Sequence, residues 1–230
     1  MIKPALQERF RNLKGILWDL DNTLYKSEDD LHRAFDRAIA QAAIENGASI
    51  SLDEAIRLSG KSFVDHGYGG RVFVDTMGVD PRALHFSIHG LVDEKIIIRS
   101  EGLIDQMQSL SLHHVVVTHG ARDWALRVLQ QIGLIPLFPD HLVHALEDFD
   151  FHKKGSSRVP FETGLAALGL APADVIMVED QERNLRIPHE MGMGTVLLNH
   201  GVRGPDAAGY VDLVCRDAPE LLAYIKAARV

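Results

Sequence analysis

The chain has 230 residues, 46% of them hydrophobic and 24% charged, with a formal net charge of −8. At ~150 residues per domain this allows one large domain or two modest ones; the composition excludes disorder as the main state, and the acidic balance excludes a sequence-independent grip on nucleic acid polymers or an anionic membrane. A single cysteine, Cys215, cannot close an internal disulfide, which points to a reducing compartment and a small buried side chain.

The first residues, MIKPALQERFRNLKG, interleave charges with apolar positions and make no secretory signal. No apolar run approaches the ~18 residues of a membrane span, so a soluble, cytoplasmic protein is expected. Residues 15–18 are an uninterrupted apolar run of the kind found in strands buried on both faces of a parallel sheet. The run ends in Asp19 and Asp21, followed by the polar pair Asn22 and Thr23, where a parallel sheet gathers its ligands.

Ser27 with Asp30 has capping-box spacing, and Leu31, Phe35, Ala38, Ile39 and Ala42 recur at helical period up to Gly47. Ser51 with Glu54 starts a second helix expected to stop at Gly60, and the following stretch to Gly78 reads as irregular. Asp80 and Pro81 open a third helix, to about Val92. Residues 26–100 thus hold helices and no convincing strand.

Beyond residue 101 the pattern alternates. A helix through Leu103, Met107 and Leu110 precedes a strand at Val115 to Val117, which ends in Thr118, His119 and Gly120. Helical spacing continues through Trp124 to Leu129, and a short strand is expected over residues 141–144. A helix from Pro160 to Leu168 leads to a strand at residues 174–178 that ends in Glu179 and Asp180. A helix limited by Pro188, strands at 195–198 and 210–215, and a closing helix at 219–228 complete the chain. Strands alternating with helices imply an α/β fold with a Rossmann-like parallel sheet, here residues 1–25 and 101–230, interrupted by a helical insertion at 26–100.

Parallel strands share a carboxyl edge, so Asp19, Asp21, Thr118, Glu179 and Asp180 converge there, with Lys153 and Lys154 on a nearby loop. Each alone is ordinary: Thr at a strand end often satisfies local backbone, an acidic pair often caps the next helix, and lysines are mostly solvated. Together, several carboxylates at close range need compensation, and an all-oxygen donor set suits Mg²⁺.

Four segments in order, D-L-D-N-T at Asp19 to Thr23, the strand ending at Thr118, a lysine near Lys154 and E-D at Glu179 and Asp180, resemble the haloacid dehalogenase superfamily. That resemblance implies a mostly Mg²⁺-dependent phosphatase family with a Rossmann-like core and an inserted cap. DLDNTLY, GYGG and the segment from Glu179 to Gly192 are similar to the pyrimidine 5′-nucleotidase-like branch. The resemblance implies Asp19 as the nucleophile that forms an aspartyl-phosphate and Asp21 as general acid and base. It places Mg²⁺ on Asp19, the Asp21 carbonyl and Asp180, with Glu179 assisting directly or through water, and Thr118 and a lysine on the phosphate.

His119, Gly120 and Lys153 join Thr118 as candidate substrate contacts. Lys154 is favoured as the family lysine over Lys153, although glycine follows it where the family has proline, and His119 stands where the family has Asn. Asn184 matches a position that orients the metal-binding loop, and His113, His114 and His189 read as surface or supporting residues. The expected substrate is a small phosphorylated metabolite, foremost a nucleoside 5′-monophosphate, with phosphoglycolate or a sugar phosphate as alternatives; a monomer or homodimer is compatible. A dehalogenase would not need Asp21 or the Glu179–Asp180 pair, a phosphomutase would retain the phosphoryl group, and a binding protein would bind Mg²⁺ and phosphate without turnover. A two-component receiver does not suit the insertion or the D-x-D spacing.

Overall fold

The computed structural model describes residues 4–202 and 207–229. Six parallel strands form one sheet in the order β3-β2-β1-β4-β5-β6: β1 (Gly15–Trp18), β2 (His113–Val117), β3 (Val143–His144), β4 (Val175–Glu179), β5 (Gly194–Leu198) and β6 (Leu213–Cys215). This is the doubly wound order, with β1 central and the switch in strand direction of travel beside it. The register is tight around the centre: Trp18 lies level with Val116 on one side and Val178 on the other.

The helices are α1 (Pro4–Asn12), α2 (Asp29–Glu45), α3 (Leu52–His66), α4 (Arg71–Met77), α5 (Pro81–Gly90), α6 (Leu103–Ser109), α7 (Arg122–Gln131), α8 (Val159–Leu168), α9 (Arg186–Glu190) and α10 (Ala218–Ala228). Two compact units result, Met1–Lys26 with Ile98–Val230 and, between them in sequence, Ser27–Ile97. Among the described residues no helix is long and apolar enough to cross a membrane.

In the sheet-bearing unit every side chain of β1 and β4 is buried, because helices cover both faces. Leu17, Val115, Val117, Val175 and Met177 project into one cluster with Phe161 and Leu165 of α8 and Ile187 of α9. By strand alternation Ile16, Trp18 and His114 face the other way, and the Trp18 indole donates to His114 Nδ1 at 3.1 Å. Cys215 is buried at the end of β6.

The helical unit departs from its sequence pattern in three places. Helix α2 begins at Asp29 with Glu28, one residue beyond Ser27, at its cap position, and the Glu28 side chain makes no capping bond. Ser51 does cap α3, accepting from the Glu54 amide at 3.3 Å, but the helix runs through Gly60 to a left-handed Gly67. The ~1 kcal/mol helix penalty of glycine is outweighed by tertiary contacts: Ala55, Ser59 and Ser62 are buried, and Ser59 donates to Asp36 of α2 at 3.0 Å. The stretch read as irregular therefore holds the end of α3 and all of α4. Asp80 caps α5 as its spacing predicts, accepting from the Ala83 amide at 2.7 Å.

Elsewhere the differences are small. The charged opening segment forms α1, whose Leu6 and Phe10 are buried, and the strand expected over 141–144 is confined to Val143–His144 after a 3-10 turn at Asp140–Leu142. The segment around Pro188 is a 3-10 turn at Glu182–Leu185 continued by α9. His113 and His189 are exposed, but His114 is a core residue, not a surface one.

Burial lowers the His114 pKa from an ordinary 6.5 to about 4. Below the higher value the unfolded chain takes up a proton that the native chain refuses, so stability falls as pH drops through that window. Denaturant unfolding at pH 7 and pH 4.5 should show wild type losing about 2.5 kcal/mol more than His114→Gln. Equal losses would mean that the imidazole titrates as if solvated.

Candidate active site

The site grows from the carboxyl ends of β1, β2 and β4. The Asp19 amide continues the strand ladder to the Val178 carbonyl at 2.9 Å, so its carboxylate emerges at the sheet edge while still buried. One Asp19 oxygen accepts from the Thr23 hydroxyl at 2.9 Å; the other accepts from Lys154 Nζ at 2.5 Å. The same ammonium lies 2.6 Å from Glu179 and donates to the Val117 carbonyl at 3.2 Å. Lys154, Asp19 and Glu179 are all buried.

Of the two adjacent lysines, the structure brings Lys154 into the cluster and leaves Lys153 exposed, with its carbonyl bound by the Ser156 and Ser157 amides. Gly155 follows Lys154 because the loop there passes Asn184 closely: a Cβ would lie 3.2 Å from Asn184 Oδ1. Asn184 itself is buried and donates to Glu179 Oε1 at 2.7 Å, while the Gln181 amide donates to Glu179 Oε2 at 2.7 Å. Glu179 is therefore fixed on both oxygens. Asp180 accepts from Asn22 Nδ2 at 2.9 Å.

Asp21 lies in a different surround. Its Oδ1 accepts from the Tyr25 hydroxyl at 2.7 Å and the Trp124 indole at 2.8 Å, and Thr118 Oγ1 donates to Oδ2 at 3.4 Å. Thr118 in turn accepts from the Gly120 amide at 2.9 Å, so that amide is engaged within the turn. His119 is half-buried, and its Nε2 accepts from the Lys154 amide at 2.9 Å.

Tyr25, Trp124 and His200 are site residues that the sequence reading missed. In the sequence Trp124 stands only as a position of helical spacing and Tyr25 only as the end of DLDNTLY; both are buried in the core. His200 Nε2 lies 2.6 Å from the Asn22 carbonyl, bracing a turn in which Asn22 has φ +60°. The tyrosine is four residues beyond Asp21, a spacing that could have drawn notice; the other two join the site only through the fold.

The electrostatics follow from burial. Desolvation pushes the Asp19 carboxyl up to about 7, Lys154 pulling it down and Glu179 and Asp21 pushing it further up. Asp180 is held well above the usual carboxylate range, by burial first and then by Glu179 and Asp19. Burial works against the Lys154 charge, yet attraction to Asp19 and Glu179 outweighs it and the ammonium is stabilised. One buried ammonium among four carboxylates leaves an excess of negative charge. Asp19, Glu179 and Asp180 each present a carboxylate oxygen within 4.8 Å of the others, an all-oxygen set that could hold a hard divalent cation.

A family model for haloacid dehalogenase-like hydrolases matches residues 13–192. The chain belongs to that family and is an enzyme, a hydrolase. It is 26% identical over 227 residues to a glyceraldehyde 3-phosphate phosphatase of Methanocaldococcus jannaschii, covering 93% of this chain and 97% of the relative. Among solved structures, CbbY of Rhodobacter sphaeroides in complex with phosphate has a TM-score of 0.66 at 20% identity, over 93% of this chain and 99% of that one. A HAD phosphatase of Thermococcus onnurineus has a TM-score of 0.64 at 20% identity, over 95% of this chain and all of that one. Both share the α/β fold described above.

The buried charge cluster predicts an effect on stability. Lys154→Met leaves Asp19 and Glu179 without their ammonium, and removal of one partner from a buried ion pair costs roughly 3–5 kcal/mol. Denaturant unfolding in a chelator should show that loss at pH 8 and a smaller one at pH 5.5, where the carboxyls can neutralise. A loss under 1 kcal/mol at pH 8 would mean that the cluster is solvated.

Proposed function

We propose that the protein is a Mg²⁺-dependent phosphatase that hydrolyses a small phosphomonoester through an aspartyl-phosphate on Asp19. The observation that carries this reading is the pairing of two unlike aspartates at one sheet edge. Asp19 is buried against Lys154, whereas Asp21, two residues on, accepts from the neutral donors of Tyr25, Trp124 and Thr118. Different surroundings assign different roles to like side chains.

In the first half-reaction an Asp19 oxygen attacks phosphorus, the bond to the leaving oxygen breaks, and Asp21 gives that oxygen a proton. In the second, water attacks phosphorus, Asp21 takes the water's proton, and phosphate leaves with Asp19 restored. Lys154 offers positive charge to the transferring group, and Thr118, by turning its hydroxyl from Asp21, a hydrogen bond. Asp19, Asp180 and the Asp21 carbonyl would hold the cation, with Glu179, already bound by Lys154, Asn184 and Gln181, assisting from behind. Mg²⁺ there supplies charge that offsets the repulsion between an anionic nucleophile and an anionic phosphate. The oxygen-only donors and the excess negative charge fit that ion. The presence of Asp21 and Asp180 favours phosphoryl chemistry over dehalogenation.

In this reading the inserted helices carry substrate selection, as the family's cap. Two substrates have specific support. A three-carbon sugar phosphate is favoured by the relative named for glyceraldehyde 3-phosphate, aligned along 97% of its length. A nucleoside 5′-monophosphate is favoured by the segments similar to pyrimidine 5′-nucleotidases. Of these, GYGG loses weight, because a Cβ on Gly69 would clash with Ser59 Oγ, so packing within the helical unit accounts for that glycine. We rank the sugar phosphate first.

Phosphate release from triose phosphates, UMP, CMP, AMP and phosphoglycolate should depend on Mg²⁺ and fall at least about 10³-fold in Asp19→Asn. Full activity in that variant would exclude the mechanism. Because the metal-free Asp19 carboxyl titrates at about 7, Mg²⁺ affinity measured calorimetrically should weaken as pH falls below that value, by up to about tenfold per unit. An affinity flat from pH 8 to pH 6 would remove Asp19 from the ligand set.

A further inference from the structure

His119 makes a bond whose chemistry has one solution. The Lys154 main-chain amide donates to His119 Nε2 at 2.9 Å. A peptide N–H can only donate, so Nε2 carries a lone pair and the neutral ring keeps its proton on Nδ1.

Asp150 and Phe151, just before the lysines, have φ of +50° and +64° and close the 3-10 turn at Leu146–Phe149, their amides donating to the Glu147 and Leu146 carbonyls at 3.2 and 3.0 Å. That turn ends before Lys154, whose own amide is bound from outside the loop. Lys154 is held at both ends from the β2 terminus: His119 takes its amide, and the Val117 carbonyl takes its ammonium at 3.2 Å. Gly155 then passes against Asn184, the residue that orients Glu179. The loop is thereby tied to the end of β2 and to the turn that follows β4, the strand that carries Glu179.

We infer that His119 is a positioning residue for Lys154: as the neutral Nδ1–H tautomer it pins the Lys154 backbone so that the buried ammonium arrives between Asp19 and Glu179. This assignment differs from the direct substrate contact that its place beside Thr118 suggested. It rests on the proposed role of Lys154 at the transferring phosphoryl group, and two measurements separate its failure from the failure of that role.

The first needs no turnover. Ring-nitrogen NMR of the whole protein with ¹⁵N-labelled histidine at pH 7.5, the His119 signals identified by their absence in His119→Gln, should show a neutral Nδ1–H tautomer. An Nε2–H tautomer or a doubly protonated ring would overturn the inference, whatever the enzyme's activity. The second is kinetic, on the best substrate of the ester panel. His119→Leu should lower kcat about tenfold with KM changed less than about twofold, and His119→Gln, which retains an acceptor, should recover most of the loss. In a Lys154→Ala background His119→Leu should add nothing, since its effect passes through the lysine. An equal loss with and without Lys154, or a rise in KM at constant kcat, would overturn the assignment. A wild type that releases phosphate from no ester would count against the proposed function, and the tautomer would then decide this inference alone.

Discussion

The structure depends on one buried ammonium. Lys154 sits between Asp19 and Glu179 at the carboxyl edge of the sheet, and all three are withdrawn from water. Charges in such a place are costly unless paired and hydrogen-bonded, and the surrounding sequence is arranged to meet that need. Thr23 serves Asp19, Asn184 and the Gln181 amide serve Glu179, and the Val117 carbonyl serves the lysine. The compensation is incomplete, since Asp180 and Asp21 add negative charge nearby. That deficit is what a hard divalent cation among Asp19, Glu179 and Asp180 would offset.

The sheet order makes the cluster possible. With β1 between β2 and β4, the ends of these three strands lie side by side, so residues 19, 118 and 179, far apart in sequence, become neighbours. Helices on both faces dry out the central strands, and the same dryness raises the Asp19 carboxyl and strengthens its attraction to Lys154. The apolar strands thus set the electrostatics of the site as well as the fold.

Much of this was legible in the sequence. The apolar runs at residues 15–18, 115–117 and 175–178 announce their strands, because those residues are buried, and the polar endings mark the site edge. The less legible parts are those decided by tertiary contacts. Gly60 reads as a helix stop until Ser59 bonds to Asp36 across the helix pair, and α2 takes Glu28, not Ser27, at its cap position. Lys153 and Lys154 differ in sequence by nothing but one position; burial separates them. Trp124 and His200 carry no local signal, since the first reaches Asp21 across 103 residues and the second reaches Asn22 across 178.

The central claim is that Asp19 carries the phosphoryl group. Rapid acid quench of the enzyme during turnover of its best substrate, followed by intact-mass and peptide analysis, tests this most directly. The account predicts a covalent phosphoryl group, labile to hydroxylamine as an acyl phosphate is, on the peptide that contains Asp19. Steady turnover with no phosphoprotein at any time point, or with the phosphoryl group on another residue, would contradict it.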